Sequence, residues 1–166
     1  GVGVQPDGTI YVAGARRTNV NPERWDMEVS VYGPDKTAYG PIAYKDPDDK
    51  WNDRSERGRA VAVLKSGRVV IVGTREIVNP NDPNAKFILR GVALLFEGKG
   101  KRVGEAWTSS GDKLEFDEIL AAVATDEGFA TCGRAYTDPN MPGSKAQILV
   151  RWHGPDLQEV KAPRLE

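Results

Sequence analysis

An asparagine or aspartate followed by proline recurs at matching places in each third of this chain: Asn21-Pro22, Asn79-Pro80 and Asp138-Pro139. The second copy runs on through Asn81, Asp82 and Pro83 to Asn84, and the third through Asn140. A further acidic stretch reads Asp46-Pro47-Asp48-Asp49-Lys50-Trp51-Asn52-Asp53. Such side chains offer carboxylate and amide oxygens. These accept hydrogen bonds from hydroxyl and ammonium groups and ligate hard cations. With Trp25 and Trp51 beside them as amphipathic anchors, they form a candidate partner-binding set. Its members are Asn21, Trp25, Asp46, Asp48, Asp49, Trp51, Asn79, Asn81, Asp82, Asp138 and Asn140. The plainer role of Asx-Pro is to start turns, and it accounts for the same residues without a ligand. Calcium is the one guest left open, but Asp46-x-Asp48-Asp49 lacks the glycine turn and terminal glutamate of a calcium loop. No metal site and no cofactor are therefore expected.

Other chemistries find little support. The single histidine, His153, and the single cysteine, Cys132, cannot make a His/Cys metal centre. His153 falls in a turn and is expected to be solvated. Cys132 falls on an alternating position and is expected to be a small buried apolar group. Gly98-Lys99-Gly100-Lys101 lacks the spacing of a phosphate-binding loop. Arg16, Arg75 and Arg134 recur after similar apolar runs and are expected to pair with acids on neighbouring strands. Lysine plus arginine (23) nearly balances aspartate plus glutamate (24), which argues against nucleic acid as a partner. Apolar runs such as Val69 to Val72 are far too short to span a bilayer.

The elements that must position these residues are written three times. Pro6-Asp7-Gly8-Thr9-Ile10-Tyr11-Val12-Ala13-Gly14 recurs as Lys65-Ser66-Gly67-Arg68-Val69-Val70-Ile71-Val72-Gly73 and as Asp126-Glu127-Gly128-Phe129-Ala130-Thr131-Cys132-Gly133. Gly8, Gly67 and Gly128 lie 59 and 61 residues apart, a spacing that signals stacked supersecondary units. The chain reads as one repeat domain over 1–166, with units 1–53, 54–113 and 114–166. Each unit is expected to hold four strands. An alternating strand (Val2 and Val4; Val61 and Val63; Leu120, Ala122 and Ala124) turns at glycine into the run above. The third strands are expected over Met27 to Tyr32, Phe87 to Phe96 and Ala146 to Trp152. The fourth are expected over Ala38 to Tyr44, Lys101 to Thr108 and Leu157 to Ala162. Tyr32, Phe96 and Trp152 should pack between units. Leu114 to Ala124 also fits a helix, but alignment with the other copies favours a strand. In such a meander the short glycine turns share one rim and the long polar loops share the other.

Four antiparallel strands repeated radially form a β-propeller blade. Val2-x-Val4-x-Pro6-Asp7-Gly8-Thr9-Ile10-Tyr11-Val12-Ala13-Gly14 and Arg151-Trp152-His153-Gly154-Pro155-Asp156 resemble the delta-sixty family of propeller repeats, which occurs mainly in bacterial surface and secreted proteins. The expected fold class is thus all-β, a β-propeller segment of three four-stranded antiparallel repeats. A β-trefoil is the alternative. The resemblance implies an extracellular or cell-surface location. Gly1 aligns with Ala60 and Ala121, whose units carry more strand upstream, so the chain reads as a piece of a longer protein. The expected function is a non-enzymatic scaffold or recognition module. It would bind a protein or carbohydrate on the long-loop rim, with further blades supplied by missing sequence or a second copy of the chain. Two alternatives stand beside it: a propeller hydrolase or lyase using rim carboxylates such as Asp48 and Asp49, and a trefoil lectin. Across three blades, the outer faces of the first and last are expected to expose apolar surface.

Overall fold

A computed structural model describes residues 1–20, 23–44, 55–77, 88–97, 101–107, 118–136 and 146–160. Among these residues every regular element is a β-strand. The first sheet contains β1 (Val2–Val4), β2 (Ile10–Val20), β3 (Glu23–Tyr32) and β4 (Ala38–Tyr44). The second contains β5 (Glu56–Val63), β6 (Val69–Ile77), β7 (Ile88–Glu97) and β8 (Lys101–Trp107). The third contains β9 (Glu118–Ala124), β10 (Phe129–Tyr136), β11 (Ala146–His153) and β12 (Glu159–Val160). Each sheet is an antiparallel meander in chain order, so one sixty-residue unit of sequence makes one sheet. The segment that also fitted a helix is strand from Glu118 to Ala124. The third strand of the first unit begins four residues earlier than expected, at Glu23, so Trp25 lies in β3 and not in a loop. The last fourth strand starts at Glu159, two residues late, because Leu157 belongs to the turn.

Four of the short turns share one design. In Gln5 to Thr9, Leu64 to Arg68, Gly33 to Thr37 and Gly154 to Gln158, the first residue's N–H donates to the fifth's carbonyl. The fourth residue's N–H donates back to the first's carbonyl. This is a type I turn closed by a left-handed residue, the usual three-residue hairpin connection. Gly8 and Gly67 take that position with φ of 88° and 79°, while Lys36 and Leu157 take it at 68° without being glycine. The Ala124–Phe129 hairpin is tighter, with Thr125 N–H donating to Gly128 O.

The three sheets pack in succession with a core on each side of the middle one. Tyr11, Met27, Val29 and Val31 of the first sheet meet Val69, Ile71, Leu94 and Phe96 of the second. Val70, Val72 and Leu95, on the opposite face of that second sheet, meet Ile119, Phe129 and Leu157 of the third. This explains why Val69 to Val72 form an unbroken apolar run: both faces of β6 are covered, so alternation is lost. Full burial of each such side chain contributes about 2 kcal/mol. Gly14 and Gly58 sit where the first two sheets touch, since a Cβ on Gly58 would lie 3.0 Å from Gly14 O.

Three expectations from sequence, for His153, Tyr32 and Cys132, are corrected here. His153 is not a solvated turn residue. It ends β11 and is buried, its ring stacks on Phe129 at 4.6 Å between centroids, and Nε2 lies 3.0 Å from Thr131 Oγ1. Of the three aromatics expected between units, Phe96 is buried in the core, whereas Tyr32 is exposed. Cys132 is half-buried.

Candidate functional site

The antiparallel register brings the chain ends that bound the long loops to one end of each sheet. Val20 lies opposite Glu23, Met27 opposite Tyr44, Glu56 opposite Arg75, and Arg134 opposite Glu118. Contacts between sheets show that these ends lie side by side. Trp25 N–H of the first sheet donates to Ser55 Oγ, at the head of β5, over 3.3 Å. The Arg57 guanidinium stands over the Trp25 ring, 5.4 Å from its centroid. From β5 to the third sheet, Arg59 Nη2 lies 3.9 Å from Glu118 Oε1; within the third sheet, Arg134 Nε lies 2.7 Å from Glu118 Oε2.

A cavity of about 200 Å³ opens among these groups, lined by Ser55, Arg57, Arg59, Thr74, Glu76, Leu89 and Glu118. Two of its lining residues, Ser55 and Glu76, are tied to each other. Ser55 N–H donates to Glu76 Oε2 at 2.9 Å, and Glu76 N–H donates to Ser55 O at 2.9 Å. Ser55, Thr74 and Glu118 are buried, while the Arg57 and Arg59 side chains reach solvent. Beside it the indole N–H of Trp25 is enclosed without a hydrogen-bond partner among the described residues.

Charged residues within strands concentrate at this same end. Glu56, Arg75, Glu118 and Asp26 are all buried, and Thr18 Oγ1 donates to Asp26 Oδ1 at 3.3 Å. Such groups hold their charge in a protein interior only when paired. The expected arginine–acid pairing is present for Arg134 with Glu118 on β9 and for Arg16 with Glu28 on β3, at 3.1 Å. Arg75 faces Glu56 across the β5–β6 ladder.

Of the eleven expected rim residues only Trp25 lies among the described residues; Asn21, Asp46, Asp48, Asp49, Trp51, Asn79, Asn81, Asp82, Asp138 and Asn140 lie outside them. Sequence reasoning passed over Ser55, Arg57, Arg59 and Glu76, the groups that line the cavity. Their signal was charge inside a strand: Arg57-Gly58-Arg59 interrupts the apolar alternation of β5, and Glu76 that of β6. Among the described residues no cluster of three or more histidine, cysteine, aspartate or glutamate side chains is placed to hold a metal ion. No described helix is long and apolar enough to cross a membrane. No family model matches the chain. No curated protein matches it.

Proposed function

We propose that this chain is a non-enzymatic β-propeller recognition module of the delta-sixty type, and that it engages its partner at the long-loop end of the sheets. The single observation that carries this reading is the cavity bounded by Arg57, Arg59, Glu76 and Glu118, with Trp25 alongside. Its lining holds both donors, Arg57 and Arg59, and acceptors, Glu76 and Glu118. An aromatic face adjoins it, on a scaffold of three packed sheets, and recognition residues concentrate where rigid elements present loops. Three separate four-stranded meanders packed one on another support blades over a trefoil.

At about 200 Å³ the cavity is smaller than a drug-sized pocket, so it suits one hydroxyl-rich or charged end group of a larger ligand. A carbohydrate terminus meets that description, because sugar hydroxyls both donate to carboxylates and accept from guanidinium groups. The test is a glycan array probed with the wild-type chain and two double variants. Trp25→Ala with Arg57→Ala should abolish the signal, whereas Lys36→Ala with Lys65→Ala, on the turn rim, should leave it unchanged. Binding lost only in the second variant would place the contact on the wrong rim. An array without signal would remove carbohydrate as the ligand class.

A further inference from the structure

Every sheet has two faces of different kind, and the molecule shows how they fit. One face of the first sheet covers the near face of the second, and the far face of the second covers the near face of the third. The same type of contact therefore occurs twice. Its two halves are each left open once.

The open half on the third sheet carries Val123 (62% exposed), Val150 and Ile148 (82% exposed). Register places Val123 and Val150 about Ala130 and Cys132, as it places Ala62 and Ala93 about Val70 and Val72 in the second sheet. There Ala62 and Ala93 are buried against the third sheet. The open half on the first sheet carries Val2 (63% exposed), Val4 and Tyr32. These correspond to Val61, Val63 and Phe96, which pack into the first core. Apolar side chains thus occupy both open faces at the positions that are covered elsewhere in the same molecule. Exposed apolar patches of this kind mark association sites.

We propose that the open face of the third sheet seats against the open face of the first sheet of a second copy of this chain, and that two such contacts close a ring of two chains. The contact continues an interface already built twice within each copy. The number of copies rests on reading the sheets as blades. Propellers hold typically four to eight blades, and two copies of three sheets give six, within that range. The contact is head-to-tail, so it closes only if the rotation per sheet divides the circle; otherwise it yields open fibres.

Light scattering should give twice the monomer mass of 18.1 kDa for the wild-type chain. Val2→Lys with Val4→Lys, and separately Ile148→Lys with Val150→Lys, should each weaken self-association about 100-fold, because lysine would be buried unpaired in the contact. These positions are exposed in the single chain, so circular dichroism should stay unchanged; Val4→Thr and Ile148→Thr serve as milder versions. Mixing the two lysine variants leaves one contact intact and sets lysine against lysine at the other, so the mixture should not recover the wild-type affinity. A monomeric wild type at about 100 μM, or dimers that survive either variant, would overturn the proposal. So would a mixture that pairs as tightly as the wild type, since a single contact would then suffice and no ring would close. Assemblies larger than two chains would overturn the ring and the blade reading together. Failure of the recognition reading is seen separately, because none of these variants touches Trp25 or Arg57.

Discussion

The two ends of the sheets follow opposite rules. At the turn end one five-residue hairpin recurs four times, and its charged side chains lie in water. Lys65 and Asp126 pair at 2.6 Å with 72% and 86% of their side chains exposed. At the loop end charges enter the strands themselves, and Glu56, Arg75 and Glu118 are buried. The second and third units set a first-strand glutamate opposite a second-strand arginine, Glu56 with Arg75 and Glu118 with Arg134, and the first unit departs from this. The third unit answers Arg134 with Glu118 on its first strand, whereas the first answers Arg16 with Glu28 on its third. What repeats is scaffold, where one solution serves every unit. What breaks the repeat is where a unit is shaped for something particular.

The largest expected test of that contrast is an exchange of charge losses. Glu118→Ala should destabilise the fold by about 2 kcal/mol in urea denaturation, since it removes the carboxylate that pairs with Arg134 at 2.7 Å and lies 3.9 Å from Arg59. That figure stays moderate because both guanidinium groups keep some access to water. Lys65→Ala should change stability by less than about 0.5 kcal/mol, despite the shorter contact, because exposed pairs are screened. Equal losses at the two ends would erase the distinction.

A finer comparison concerns Trp25 and Arg57, which join the first two sheets at the loop end. A double-mutant cycle with Trp25→Leu and Arg57→Met should give a coupling of about 0.5–1 kcal/mol, as expected for a cation over an indole near the surface. A coupling near zero would mean that the two sheets are held here only by their shared core.

The same contrast explains what the sequence disclosed. Three four-strand units were legible from glycine spacing, because turn geometry requires particular residues: Gly8 and Gly67 both sit at positive φ. The fourth strands were legible at Ala38–Tyr44 for the same reason. The fate of His153 was not, because its burial depends on Phe129, twenty-four residues away and directly opposite on the neighbouring strand. Nor did the residues lining the cavity stand out. Ser55, Arg59 and Glu76 belong to the second unit, and Glu118 joins them only through the packing of the third sheet on the second, which no local period records. Trp25 was picked out by type alone. Its place in β3 followed from a first strand pair that runs to Val20 and Glu23.

If the hairpin turn is the repeated unit, its left-handed position should be interchangeable between copies. Lys36 holds φ of 68° at the place where Gly67 holds 79°. Lys36→Gly should raise stability by about 0.5 kcal/mol, the relief of left-handed strain partly offset by the looser unfolded chain. The reciprocal Gly67→Lys should cost about 1 kcal/mol, although a Cβ there meets nothing within 4 Å. Thermal denaturation of both variants reads the two signs. A Gly67→Lys chain as stable as the wild type would show that the backbone conformation does not limit the turn.

The smallest effect tests whether the turn end answers to pH at all. Thr9 N–H donates to Asp7 Oδ1 at 2.8 Å, and this bond holds the Asp7 carboxyl below its ordinary value although the group is fully exposed. A carboxyl whose folded value is depressed stabilises the fold above its unfolded value of about 3.9, and loses that contribution as pH falls through the folded value. The first hairpin should therefore be indifferent to pH near neutrality and weaken only under acid. Carbon NMR titration of the Asp7 carboxyl should show a midpoint below that of an unstructured aspartate, and Asp7→Asn should remove the acid-dependent part of the stability. An ordinary midpoint would mean that the side chain does not cap the turn in solution. The repeat would then rest on backbone conformation alone, at Gly8 and its counterparts, with the aspartates of Pro6-Asp7-Gly8 and Pro155-Asp156 contributing solubility and not order.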